Sequence, residues 1–264
     1  NNWDHLPDYP LTGAAYVSWV RSETHDFLLY AFYHPRDWTN RRISPRFLDS
    51  EHENDLEAFL AVVRRTRAED GILEGGFVVH HDRMLPLVVA GSGWIARSGT
   101  ARTLHVSAHA GVTRPVLVQE ACGHGLLPWP DVGARDRRRT PEPTDPNVAT
   151  SNQVVYYPAD STAGISEPRP QDRDASYRLI DIFEEHGIWS RRADPALFRG
   201  SRFVGDCSGG CGAGLRSCEE DKAAAPWGLG EPPGEIASDP ARFVERHCHV
   251  PAPFSHRYLR NPYR

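Results

Sequence analysis

Aliphatic and aromatic residues run almost unbroken from Ala14 to Val20 and again from Phe27 to Tyr33, with the polar stretch Arg21 to Asp26 between them. Such runs, the second closed by Pro35, predict two core strands. Leu56 to Val63 predicts a third, because its span is short and Val62 and Val63 are β-branched. Further strands are expected at 77–81, 85–89, 104–107, 116–119 and 154–157, most of them bounded by Gly or Pro. One helix is expected from Ala175 to His186, with Asp174 as its N-cap, Tyr177, Ile180 and Ile182 or Phe183 as an apolar stripe, and Gly187 as its stop. A shorter helical turn is expected at Pro240 to Arg246. Residues 131–152 are rich in Pro, Arg and Asp and predict a long exposed excursion. Many short strands ahead of a single helix point to a mainly β (α+β) fold. The expected architecture is an antiparallel β-sandwich with peripheral helices and a Cys/Gly-rich C-terminal loop region. A single domain is expected, with the sandwich core over 12–160 and a helix- and loop-rich extension over 161–264 packed on it.

Composition narrows the function more than the fold. The 264 residues are 39% hydrophobic and 25% charged, enough apolar surface for a core. Thirty Lys and Arg against 35 Asp and Glu give a net charge of -5, which excludes the basic excess that nucleic acid attracts. No stretch reaches the roughly 18–20 apolar residues of a membrane-spanning helix. Asn1 to Pro10 lacks the basic and apolar regions of a signal peptide, as a secreted chain would after processing.

Five cysteines are present. Cys207, Cys211 and Cys218 sit in and beside a Gly-rich loop, Cys248 follows at a distance, and Cys122 stands apart. Two disulfides with one odd thiol are expected, since the Ser208–Gly214 loop has little side chain to pack. The alternatives are reduced thiols, or a zinc site in which His247 and His249 join the cysteines.

The segment that carries chemistry is His52-Glu53-Asn54-Asp55-Leu56-Glu57. On a strand, positions i and i+2 share a face, so Asp55 and Glu57 point the same way while Leu56 turns into the apolar layer. Two neighbouring carboxylates repel unless a positive charge lies between them. Carboxylate oxygens with one imidazole suit magnesium, calcium or manganese, and zinc or iron less well. His52 is the candidate nitrogen ligand. The alternative is a solvated acidic patch that also includes Asp49, Glu51 and Glu53. Gly123-His124-Gly125 offers a second imidazole able to complete the site or act as a general base, or else a plain turn. Neither a Walker-type glycine loop nor a Gly-x-Ser-x-Gly elbow occurs, which disfavours common nucleotide and serine-hydrolase chemistry.

His52-x-x-Asp55-x-Glu57 resembles the core of the heptapeptide Gly-His-Arg-His-Asp-Trp-Glu of the necrosis- and ethylene-inducing peptide-like proteins. Upstream, Tyr30-Ala31-Phe32-Tyr33-His34-Pro35-Arg36-Asp37 is similar to that family's Tyr-Ala-Trp-Tyr-Phe-Pro-Lys-Asp run. The resemblance implies a divalent metal held by Asp37, His52, Asp55 and Glu57. Ser107-Ala108-His109 resembles a further segment and implies His109 as an outer ligand. The match spans residues 27–125 and departs from the family at Glu51, Asn54 and Leu56, and in a longer spacer between Asp37 and His52.

By resemblance, the chain is a secreted metal-binding protein that captures a glycan or sphingolipid headgroup, with peripheral membrane contact. Two alternatives stay open. In one, the same residues form a hydrolase-like metalloenzyme with His109 or His124 moving the proton. In the other, the metal is a structural staple.

Overall fold

The computed structural model describes residues 13–37, 52–67, 71–80, 83–109, 111–120, 124–131, 155–158, 174–185, 187–194, 225–228 and 232–264. The strands are β1 (Ala14–Ser22), β2 (His25–Asp37), β3 (His52–Arg64), β4 (Ile72–His80), β5 (Arg83–Val88), β6 (Ile95–Ala96), β7 (Arg102–Thr103), β8 (Val106–His109), β9 (Val112–Pro115), β10 (Leu117–Gln119), β11 (Leu126–Pro128), β12 (Val155–Pro158) and β13 (Asp174–Asp181). Two helices, α1 (Glu235–Ser238) and α2 (Pro240–His247), precede β14 (Cys248–His249) and β15 (Tyr258–Arg260). The result is a mainly β, sandwich-like fold with few helices.

Its centre is a mixed sheet in the order β12-β13-β1-β2-β3-β4-β5-β7, with β15 also pairing β1. The antiparallel run β1 to β5 follows from the apolar stretches and their tight connections. At the β1–β2 turn, Ser22 Oγ accepts hydrogen bonds from the backbone N–H groups of Thr24 at 3.3 Å and His25 at 3.0 Å. That side chain fixes the hairpin register. Leu29↔Leu60 and Tyr30↔Phe59 then face each other across β2 and β3.

Alternation along β3 sorts its residues onto two faces. Leu56, Ala58, Leu60 and Val62 join a core with Phe27, Phe77, Trp227, Ile236, Phe243 and Phe254, so this face is covered by the α1–α2 segment and the C-terminal stretch. Phe59 and Ala61 lie on the other face with Val78, Leu87, Leu104 and Leu126. The hairpins β8–β9 and β10–β11 form separate small sheets, and Leu117 and Leu126 tie β10–β11 to this second core.

Close approach explains two glycines in β4. A Cβ on Gly75 would meet the Leu87 carbonyl oxygen at 2.6 Å, and one on Gly76 would strike the Leu60 carbonyl and stand 2.9 Å from the Phe59 ring.

Three expectations need correction. The segment read as a helix from Ala175 to His186 is strand β13, parallel to β1 in the register Arg178↔Ala14 to Asp181↔Val17. A ladder to a strand far away in sequence overrides a local 3–4 spacing. At the end of β13, Asp181 Oδ1 accepts the Phe183 N–H at 3.0 Å and turns the chain. Pro35 does not close β2, which runs on to Asp37 opposite His52. Cys248 is a buried free thiol in the α2-side core, where a disulfide was expected. Cys122, Cys207, Cys211 and Cys218 lie outside the described residues, as does most of the 131–152 excursion. The helix at Pro240 is present, and Trp227 from the 3-10 turn Pro226–Gly228 is fully buried.

Candidate metal centre

The second face of the sheet changes character along its length. Past Phe59 toward the start of β3, the positions on that face are Glu57 and Asp55, buried at 3% and 8% exposure. A strand that had stayed apolar here would simply extend the core. Two carboxylates in its place demand compensation, because removing an ionised group from water is strongly unfavourable unless it is paired.

Histidines surround the acids. In the β2–β3 register His34 lies opposite Asp55 and Phe32 opposite Glu57. His80 follows Val78 by two positions on β4, and Val78 faces Phe59, so His80 is in line with Glu57. His124, just ahead of β11, reaches Asp55: its Nδ1 is 3.1 Å from Asp55 Oδ2, and the residue is 1% exposed. Asp55 Oδ1 accepts the Leu56 N–H at 2.9 Å.

The His124 ring stacks on His34 with centroids 3.9 Å apart and planes 9° from parallel. Gln119 Nε2 donates to His34 Nε2 at 2.9 Å, and His80 Nε2 is 3.1 Å from Glu120 Oε2. His124 achieves this placement with φ of 53°, left-handed backbone that non-glycine residues rarely adopt. The flanking Gly123 and Gly125 are the sequence signal for so sharp a turn.

No protein-family model and no curated protein matches the chain. Among solved structures, the crystal structure of non-toxic HaNLP3 protein is similar at 15% identity, over 48% of this chain and 56% of that one, with a TM-score of 0.25. The relation is a distant one.

Of the residues singled out from the sequence, Asp55 and Glu57 share the buried face. Asp37 and His52 are cross-strand partners three positions further along the same ladder, with side chains outside those described. His109 ends β8 opposite Val112, and its side chain is likewise not described. His34, His80, Gln119 and Glu120 were missed. His34 was hidden inside an aromatic strand read as core, and only the β2–β3 register brings it to Asp55.

The donor types suit a divalent cation: buried carboxylates with imidazoles beside them. Among the described residues no three such donors converge on one point. The same finding gives no support to zinc at Cys248, His247 and His249, where His247 packs on Phe243 and Phe77. No helix among the described residues is long and apolar enough to cross a membrane.

Proposed function

We propose that the chain is a secreted protein that binds one divalent cation through Asp37, His52, Asp55 and Glu57. Through that ion it captures an oxygen-rich headgroup, a glycan or a sphingolipid, at a membrane surface. The observation that carries this reading is the burial of Asp55 and Glu57 side by side on one face of a strand. The two motif resemblances support it at the same residues. A bound hard cation would offset the two negative charges and offer open positions to hydroxyl or phosphate oxygens.

The test is elemental analysis after dialysis against mixed divalent cations, with the wild type beside an Asp55→Asn, Glu57→Gln variant. About one ion per chain, lost in the variant, is expected, since binding to the native state alone requires the assembled ligands. A wild type that retains none sinks the proposal. If the ion is present, glycans and lipid headgroups are screened for binding with and without chelator.

One observation favours a second reading, an enzyme. The Asp55–His124 hydrogen bond orients a buried imidazole as a general base is oriented. Turnover of an ester or phosphodiester that stops in His124→Gln would select it.

A further inference from the structure

Away from the acidic cluster, at the other end of β3, the fold leaves a cavity of about 490 Å³. His25, Arg64 and Glu74 form its polar side, and Ile72, Val89, Pro251 and Ala252 its apolar one. Arg64 ends β3 and Asp55 lies near its start, about 30 Å apart at roughly 3.3 Å per residue. The two places are therefore separate.

A break in the ladder aims the carboxylate. Val62 pairs with Gly75 and Val63 with Leu73, so Glu74 is the extra residue of a β-bulge in β4. Bulges re-aim a side chain and are common beside functional sites. The Glu74 carbonyl accepts the Val89 N–H at 3.0 Å, which pins the backbone at the same point. Its carboxylate then engages Arg64 through Oε1 and His25 through Oε2. Arg64 spends only Nε on this bond, and among the described residues its guanidinium makes no other hydrogen bond. The Nη1 and Nη2 edge thus presents two parallel N–H donors, the fork that matches a carboxylate. On the apolar side, a Cβ on Gly93 would stand 2.8 Å from Pro251 Cγ, so the turn after β5 and the stretch carrying Pro251 are in contact.

We propose that this cavity binds a small aliphatic monocarboxylate, its charged end on the Nη edge of Arg64 and its chain against Ile72, Val89 and Pro251. The volume falls in the range of small-molecule sites, and an apolar wall with a few convergent polar groups is their usual make-up. A single negative charge fits better than a phosphate, because Glu74 already stands beside the guanidinium and the apolar lining penalises a dianion. The bound chain takes Ile72, 45% exposed, out of water.

Octanoate is the probe, titrated calorimetrically into the full chain, with 1-octanol as its uncharged counterpart. Octanoate is expected to bind about 10- to 100-fold tighter than octanol, the usual gain from hydrogen bonds between charged groups. Arg64→Gln is expected to remove that advantage and to leave octanol binding unchanged. Ala252→Trp, at an exposed position, fills the cavity and is expected to lose both probes. Asp55→Asn, far along β3, is expected to bind octanoate as the wild type does. Backbone amide shifts of the wild type need no variant, and are expected to move at Ile72, Val89 and Ala252 as octanoate is added. No octanoate binding to the wild type at millimolar concentration, equal affinity for octanol, or shifts confined to other residues overturns the proposal. So does octanoate binding that survives Arg64→Gln undiminished or disappears in a folded Asp55→Asn.

Discussion

His25 Nε2 stands 3.2 Å from Glu74 Oε2, while Arg64 Nε donates to the other oxygen of the same carboxylate at 2.6 Å. One side chain on β4 thus ties together the start of β2 and the end of β3. Burial pushes the Glu74 carboxyl up, but hydrogen bonds from His25 and Arg64 outweigh it and hold the group below its ordinary 4.5. A carboxyl depressed in the folded state contributes stability above its unfolded value, and that contribution disappears as pH falls through the folded value. Thermal unfolding followed downward from pH 4.5 should show falling stability, and Glu74→Gln should flatten that slope.

Tyr263 donates its buried hydroxyl to Ser18 Oγ at 2.6 Å. Burial pushes the phenol well above its ordinary range, so it stays protonated and able to donate. Tyr263→Phe removes the donor and keeps the ring, which packs on Phe183 and Trp189. A loss of about 1–2 kcal/mol is expected in urea unfolding, the usual magnitude for one buried hydrogen bond. The slope of the transition should be unchanged.

Gly76→Ala should be more damaging than its single methyl suggests. The new Cβ points at the Leu60 carbonyl in the middle of the β3–β4 ladder, and backbone cannot step aside as a side chain does. A destabilisation of about 2–3 kcal/mol is expected from overpacking. Gly91→Ala gives the control, because nothing lies within 4 Å of its Cβ position although its φ of 84° still adds some strain. Unfolding midpoints of the two variants decide the point, and a smaller loss at Gly76 would contradict the packing.

Burial pushes the Cys248 thiol up to about 11, with Arg97 opposing. At pH 8 the group is therefore almost entirely thiol, and the thiolate is what alkylates. Peptide mapping after brief iodoacetamide treatment should leave Cys248 unmodified in native protein and modified in urea. Labelling in the native state would place it outside the core.

The strands of the central sheet were legible because aromatic, aliphatic or β-branched residues follow one another with little interruption, as in Phe27 to Tyr33 and Leu56 to Val63. β13 was not. Tyr177 and Ile180 carry a helix-like spacing, and the parallel ladder that overrides it depends on Ala14 to Val17, some 160 residues earlier. The i, i+2 spacing of Asp55 and Glu57 placed both acids on one face, and only the family resemblance pointed to them as ligands. His34, opposite Asp55, and Gln119, bonded to His34, were not legible, because they come together only through tertiary pairing, which no local pattern encodes. Even so, the glycines around His124 marked it as a place where the chain bends sharply.

Residues 255–260 are stitched to β1 and the β1–β2 turn. Ser255 N–H donates to Thr24 Oγ1, Arg257 pairs with Glu23, and β15 adds to β1, all across more than 230 residues. During synthesis Ser18 and its neighbours emerge long before these partners exist. At about 5–20 residues per second the interval is on the order of tens of seconds. Throughout it, the β1 edge that β13 and β15 will occupy presents unpaired backbone to any other extended chain.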